Sequence, residues 1–211
     1  MSDKKYWDEI YYSNLKESEK DFLNDIWMEK YNDIICNINN KNAIDLGCGL
    51  GQDSIWLFER GFNVISCDFS EKATNKFKAM YPNANIMNFD IVDGLPFESN
   101  SVGLINANLS IHYFDMNKTM EIFDSIYKTL ERGGLFIGRV NSDKNEYVND
   151  DYIKVEENFY YNPVKEQHKR LFNQEQFDKL TKNWNVIVLN EDVTTRKGRK
   201  KYTWEFILQK Y

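Results

Sequence analysis

The part of this sequence best suited to hold a ligand is a run of glycines at Gly47, Gly49 and Gly51, preceded by Ile44-Asp45-Leu46 and followed by Gln52-Asp53-Ser54. Backbone N–H groups in such a loop can lie directly against a bound molecule, and glycine takes φ values that a side chain forbids. Asp68 stands about twenty residues further on, where a carboxylate can accept hydrogen bonds from the two hydroxyls of a ribose. Alone, an Asp before Phe69-Ser70 is equally a helix-entry residue. With the loop, it points to a nucleotide-type ligand. A third candidate group is Asn106-Ala107-Asn108-Leu109-Ser110-Ile111-His112-Tyr113-Phe114. There His112, with Tyr113 beside it, is the obvious base for a hydroxyl or protonated amine; the alternative is a histidine packed in the core among aromatic rings. His168 has the setting of a surface residue.

Hydrophobic periodicity predicts the elements that must position these groups. Residues 43–46 form a short buried strand, 47–51 a tight turn, and 54–60 the first turns of a helix closed by Gly61. Strands at 63–67, 85–89, 102–107 and 135–140 alternate with helices at 70–80, which Ser70 can cap, and 117–130, which Gly133-Gly134 ends. Strands separated by helices imply parallel pairing with right-handed crossovers. Residues 3 to about 38 carry Trp7, Ile10, Tyr11, Leu15, Phe22 and Ile26 among charged positions, which predicts two helical stretches acting as a lid or flank. Residues 141–170 are polar and irregular. A helix at 174–181 follows, then strands at 186–189 and 202–208 as a hairpin. Its connection carries a basic run from Arg196 to Lys201, which fits a solvated turn protecting a sheet edge better than a phosphate contact.

The whole-chain properties exclude several functions. The chain has 211 residues, of which 42% are hydrophobic and 15% aromatic, enough for one sizeable core. A net charge of -6 gives no field that attracts nucleic acid or an anionic membrane surface. Three cysteines without CxxC spacing and two histidines are too few for a structural zinc site, so no metal is expected. The N-terminus turns acidic and aromatic where a signal peptide needs an apolar stretch, and no segment is long enough to span a bilayer, so a cytoplasmic location is expected.

The glycine spacing separates two cofactor classes. A dinucleotide fingerprint is GxGxxG, whereas Gln52 follows Gly47-x-Gly49-x-Gly51 here, which disfavours a pyrophosphate. Asp45-Leu46-Gly47-Cys48-Gly49-Leu50-Gly51 resembles the first motif of class I S-adenosylmethionine-dependent methyltransferases. Asp68, Asn88-Phe89-Asp90-Ile91 and Leu130-Glu131-Arg132-Gly133-Gly134 match the later landmarks of that family in order. The resemblance implies S-adenosylmethionine as cofactor. Asp45 and the backbone of Gly47, Cys48, Gly49 and Gly51 would contact its methionine part, Asp68 the ribose, Phe69 the adenine face, and Asp90 the adenine amino group with Ile91 alongside. Asn108 would lie beside the cofactor in the acceptor-facing motif, with His112 and Tyr113 as the catalytic candidates.

Two features depart from the family pattern. Gly103 stands where many relatives carry an Asp, and no Asn/Asp-Pro-Pro-Tyr sequence for nucleobase amino groups is present. The ending, with Trp184-Asn185-Val186 and Asn190-Glu191-Asp192-Val193, resembles the tellurite-resistance-like branch, which implies a small acceptor of a range that includes soft chalcogen species. Tyr6, Trp7, Tyr11 and Tyr12 would either close over a sulfonium or pack the first helix on the sheet. Arg139 and Asn141 are expected on the ligand side of the sheet, where the Arg139 charge would favour an anionic acceptor.

The expected fold class is α/β, a Rossmann-like seven-stranded mostly parallel sheet flanked by helices with a C-terminal antiparallel β-hairpin. One domain is expected over 1–211, with a helical flank (1–40), a cofactor-binding core (41–141) and an acceptor-side segment with the hairpin (142–211). The expected partner is a small-molecule acceptor, with no oligomeric state implied. The competing readings are an NAD(P)-binding oxidoreductase and a non-catalytic S-adenosylmethionine-binding module.

Overall fold

The computed structural model describes residues 26–145, 151–196 and 199–211. Tyr6, Trp7, Tyr11 and Tyr12, and most of the expected N-terminal helices, lie outside the described residues. A 3-10 turn at Trp27–Tyr31 leads into α1 (Asn32–Cys36). Strand β1 (Asn42–Leu46) is buried along all but its first residue. Such a run, buried on both faces, is what a central parallel strand requires, and its one buried charge, Asp45, is hydrogen-bonded. Helix α2 (Gln52–Glu59), β2 (Asn63–Asp68), α3 (Glu71–Met80) and β3 (Asn85–Asn88) continue the alternation. Strand β4 (Val102–Asn108), helix α4 (Met116–Thr129) and β5 (Leu130–Asn141) complete the parallel part.

Local chemistry sets the helix starts. The Ser70 hydroxyl accepts from Ala73 N at 3.2 Å, and the Asp115 carboxylate from Lys118 N at 2.8 Å, each satisfying an orphan N–H of a first turn. Helix α4 buries Thr119, Ile122, Phe123, Ile126 and Thr129, one face at helical spacing. Its end differs from the expected one. Leu130 already has extended backbone and pairs with Val102, so Gly133-Gly134 lie inside β5, beside a register shift in the β4–β5 ladder. Gly103 also has a structural reason, since a Cβ there would sit 2.1 Å from the Asn40 carbonyl oxygen.

The strands form one seven-stranded sheet in the order β3-β2-β1-β4-β5-β10-β9. Here β9 (Trp184–Arg196) and β10 (Arg199–Lys210) are the C-terminal hairpin, with β10 antiparallel to β5. Helices cover both faces. Phe123 and Ile126 of α4 and Phe177 and Leu180 of α5 (Gln174–Leu180) pack with Ile44, Leu46, Ile105, Phe136 and Phe206 on one face. Trp27, Met28 and Ile35, with Trp56 and Leu57 of α2, pack on Ala43, Val64, Leu104, Ile137 and Ile207 on the other. This is the expected Rossmann-like sheet.

The segment expected to be irregular is partly ordered. Strands β6 (Ile153–Glu156), β7 (Phe159–Asn162) and β8 (Gln167–Arg170) form a second, antiparallel sheet. Buried Arg170 holds it to the main body. Its Nε donates to Phe114 O at 2.9 Å, its guanidinium lies 4.8 Å from the centre of the Phe159 ring, and its Nη2 pairs with Glu156. His168 stacks on Phe159 at 5.2 Å and contacts Tyr161 at 4.8 Å, so its ring is part of this sheet's aromatic packing. No helix among the described residues is long and apolar enough to cross a membrane.

Candidate functional site

Strand order reverses between β1 and β4, and sheets of this kind open a crevice there at the carboxyl ends of the strands. The glycine loop occupies that position. Gly47 N and Cys48 N both donate to Cys67 O, at 2.7 and 2.9 Å, so the loop is hung from the end of β2. Gly47 (φ +72°) and Gly51 (φ +81°) have left-handed backbone that side chains rarely adopt. Space enforces the choice as well. A Cβ at Gly47 would meet Ser110 Cβ at 2.4 Å, and one at Gly51 the Phe77 ring at 2.2 Å. Ser110 in turn donates to Leu46 O at 2.7 Å, which ties the segment after β4 to the end of β1.

Asp68, at the last position of β2, is buried. Its Oδ2 accepts from Gly49 N and its Oδ1 from Ser70 N, both at 2.9 Å. The carboxylate is therefore locked in orientation at the edge of the loop. Phe69 follows it, half-buried. Asp90 caps a 3-10 turn at Ile91–Asp93 by accepting from Val92 N at 3.1 Å, and Ile91 begins that turn, half-buried. The sequence-predicted residues of β1, β2 and β3 thus stand in line at adjacent strand ends. Cys48 is buried in the loop, and burial pushes its thiol well up from the ordinary range, with the Asp45 and Asp68 charges adding to the effect. A thiol in that state is inert.

Below the loop lies a polar network that sequence reasoning only partly found. Asp45 accepts from Ser54 Oγ at 2.6 Å, and that hydroxyl also meets Ser66 Oγ at 2.7 Å. Asn106 Nδ2 bridges two buried carboxylates, donating to Asp45 Oδ1 at 2.7 Å and Asp53 Oδ2 at 3.0 Å. Trp27 Nε1 reaches Asp53 at 3.4 Å. Arg139 Nε donates to Asn108 Oδ1 at 2.9 Å, its guanidinium lies 5.2 Å from the centre of the Trp27 ring, and its charge acts on Asp53. Arg139 therefore serves the acid pair, where the sequence had suggested it would attract an anionic acceptor. Asn108 bonds Asp53 as well as Arg139.

Burial and then the Asp53 charge push the Asp45 carboxyl up to about 7, against the pull of Ser54 and Asn106. Asp53 is raised too, by burial. Asn106 Oδ1 is buried without a hydrogen-bond partner. Two carboxylates reluctant to ionise and an orphaned carbonyl oxygen together suit a cationic donor such as an α-ammonium. The methionine part of S-adenosylmethionine carries one, so these residues fit that cofactor. The sequence assigned no role to Asp53, and Asn106 stood there only as the first residue of the acceptor-facing run, with no link to the acids. The signal that could have found Asn106 is a polar amide inside Leu104-Ile105-Asn106-Ala107, a run otherwise fully apolar.

His112 follows the segment after β4 and is buried, with its ring 4.3 Å from that of Tyr113. Its Nδ1 has no hydrogen-bond partner. Burial, then Lys169 and Lys201, hold its pKa well below the ordinary value, so the ring is neutral. Leu109, between the loop-facing Asn108 and Ser110, has φ +56°, strained for a γ-branched residue. Such strain persists only where surrounding bonds enforce it. Here the Leu109 N–H donates to Arg139 O at 2.9 Å.

The chain is similar to several known proteins. Residues 44–138 match a family model described as a methyltransferase domain. An uncharacterized methyltransferase of Synechocystis sp. is 27% identical over 96 residues, which are 46% of this chain and 45% of that protein. Phosphoethanolamine N-methyltransferase 1 of Caenorhabditis elegans is 27% identical over 141 residues, 63% of this chain and 29% of that one. The matched stretches thus span less than half of these relatives' own length. Among solved structures, a S-adenosylmethionine-dependent methyltransferase from Methanosarcina mazei superposes with a TM-score of 0.72 at 18% identity, covering 84% of this chain and 96% of that one. TehB from Haemophilus influenzae superposes with a TM-score of 0.66 at 18% identity, covering 90% and 67%. Residues 44–138 are therefore similar to a methyltransferase domain, and the chain shares the fold of these solved structures.

Proposed function

We propose that this protein transfers a methyl group from S-adenosylmethionine to a small-molecule acceptor by in-line displacement. The observation that carries the reading is the glycine cradle with Asp68 locked at its edge and the Asp45–Asn106–Asp53 network beneath it. In this reading Asp45 and the Gly47, Cys48, Gly49 and Gly51 backbone hold the methionine part, with Asp53 and Asn106 behind them. Asp68 takes the ribose, Phe69 the adenine face, and Asp90 with Ile91 the adenine edge, while Asn108 faces the cofactor from β4. When bound, the cofactor supplies an electrophilic methyl carbon whose bond to sulfur breaks with the electron pair staying on sulfur, so that an acceptor lone pair takes the carbon.

The chain's own residues then have to align the two partners and exclude water. His112 and Tyr113 stand on the acceptor side. Burial that keeps the imidazole neutral also makes it a weak base, so His112 serves as a hydrogen-bond partner that orients the acceptor, not as a proton acceptor. The similarity to phosphoethanolamine N-methyltransferase 1 supports a small acceptor in preference to nucleic acid. Free thiols at Cys36, Cys48 and Cys67 support a reducing, cytoplasmic setting.

Asp68→Ala tests the reading. Charge-assisted hydrogen bonds contribute roughly 1.5 to 3 kcal/mol each, so affinity for S-adenosylhomocysteine should fall by at least about tenfold. Unchanged affinity would mean that the ribose lies elsewhere. Formation of S-adenosylhomocysteine with a panel of thiols, amines, phenols and chalcogen oxyanions tests turnover, and silence across the panel would favour a binding module.

A further inference from the structure

The acid pair beneath the glycine loop is also reached from the 3-10 turn at Trp27–Tyr31. The buried Trp27 indole donates from Nε1 to Asp53 Oδ2 at 3.4 Å, the oxygen that Asn106 Nδ2 bonds at 3.0 Å. An indole N–H is a donor only, so it favours the ionised carboxylate. The ring is fixed in place. Tyr31 meets it edge-on at 6.3 Å, and the Arg139 guanidinium lies 5.2 Å from its centre. Tyr31 Oη in turn donates to Glu205 Oε2 at 2.8 Å, and Lys30 Nζ pairs with the same oxygen at 2.6 Å. Glu205 stands opposite Arg139 in the β5–β10 ladder, so the turn is pinned to β10. A phenylalanine could fill the apolar space that Trp27 shares with Met28 and Ile35. A buried indole also needs an acceptor, and here that acceptor is one of the two acids.

We propose that Trp27 is a positioning residue that fixes Asp53 for the α-ammonium of the cofactor's methionine part, and so makes the site select ligands with a free amino-acid end. This deepens the methyltransferase reading and rests on it. Asp53 lies in the first turn of α2, directly after the loop, and that helix start has no side-chain cap. A carboxylate there is drawn toward the N–H groups of its own first turn. Asn106 from β4 and Trp27 from the turn hold it against the Asp45 network instead. Its two oxygens offer about four acceptor sites, which leaves capacity for an ammonium donor. Trp27 acts through Asp53 and touches no reacting atom.

The test compares two ligands on the full chain by calorimetry. S-adenosylhomocysteine carries the α-ammonium, whereas 5′-methylthioadenosine has the same nucleoside thioether without the amino-acid end. Trp27→Phe keeps an aromatic ring in the core and removes the N–H. It should weaken S-adenosylhomocysteine by about fivefold or more at pH 7 and leave 5′-methylthioadenosine within about twofold, the latter being the sign of an intact fold. The pH below which S-adenosylhomocysteine affinity falls should also move up, because a carboxylate that loses a donor holds its proton more tightly. Asp53→Asn should show the same split between the ligands, and adding Trp27→Phe to it should cost nothing further. Equal weakening of both ligands by Trp27→Phe makes Trp27 a packing residue and overturns the inference. Unchanged S-adenosylhomocysteine affinity with an unmoved pH profile also overturns it, as does a full further loss in the Asp53→Asn background. Failure of the parent to bind S-adenosylhomocysteine overturns instead the reading on which the inference rests.

Discussion

Replacing Asn106 with alanine removes the one amide that donates to both buried carboxylates of the network, Asp45 at 2.7 Å and Asp53 at 3.0 Å. Each is a hydrogen bond to a charged group, worth roughly 1.5 to 3 kcal/mol, so the loss is about 3 kcal/mol or more when both acids are ionised. For a domain of this size, about 3 kcal/mol lowers the melting temperature by roughly 6 to 12 °C. The loss depends on pH. Burial raises the Asp45 carboxyl to about 7, so the folded state keeps a proton that the unfolded chain releases near pH 4. Stability from this group is therefore greatest at low pH and is lost as pH rises through about 7. Without Asn106 to hold the ionised forms, that loss steepens. Thermal melts followed by circular dichroism at pH 6 and pH 8 should show the larger fall at pH 8. Asp53→Asn in the same background should recover part of it, by removing one of the two facing charges. A melting temperature at pH 8 within about 2 °C of the parent would refute the reasoning.

Other expectations follow from the same geometry. Gly51→Ala places a Cβ 2.2 Å from the Phe77 ring at φ +81°, so affinity for S-adenosylhomocysteine should drop at least about tenfold, measured by calorimetry. A cationic α-ammonium favours the ionised acid pair, so cofactor binding releases a proton below about pH 7; affinity should fall by up to about tenfold per pH unit below that point. A flat profile from pH 5 to 8 would remove the acid pair from the binding account. Arg170→Met strips the bonds to Phe114 O and Glu156. Amide exchange should then speed up in β7 and β8 while cofactor affinity stays unchanged, and equal protection in parent and variant would contradict the role given to Arg170.

The parallel core was legible because its signals are local. Ile44, Leu46, Leu104 and Ile105 form apolar runs, Ser70 marks a helix start, and the glycines mark the loop. What the sequence hid is tertiary. Gln167-His168-Lys169-Arg170 has no strand propensity of its own, and it pairs because Arg170 finds Phe114 and Glu156, and His168 finds Phe159. The hairpin runs from Trp184 to Lys210, beyond the expected strands, since Asn190, Asp192 and Thr194 lie in a ladder with β10 despite their polarity. Gly133-Gly134 resembled a helix stop, but Leu130 is drawn into the sheet by Val102 before the glycines are reached. In the site, Asp45 and Asp68 could be named from their place beside the loop. Asp53 acquires its meaning only through Asn106, which is 53 residues away in sequence.

The central claim is that the cradle between β1, β2 and β4 holds S-adenosylmethionine, and ligand-induced stabilisation tests it most directly. S-adenosylhomocysteine at a hundredfold its dissociation constant should stabilise the native state by about 2.7 kcal/mol, a rise in melting temperature of roughly 5 to 10 °C. NADH at the same concentration should give no rise. Stabilisation by NADH with none from S-adenosylhomocysteine would contradict the account.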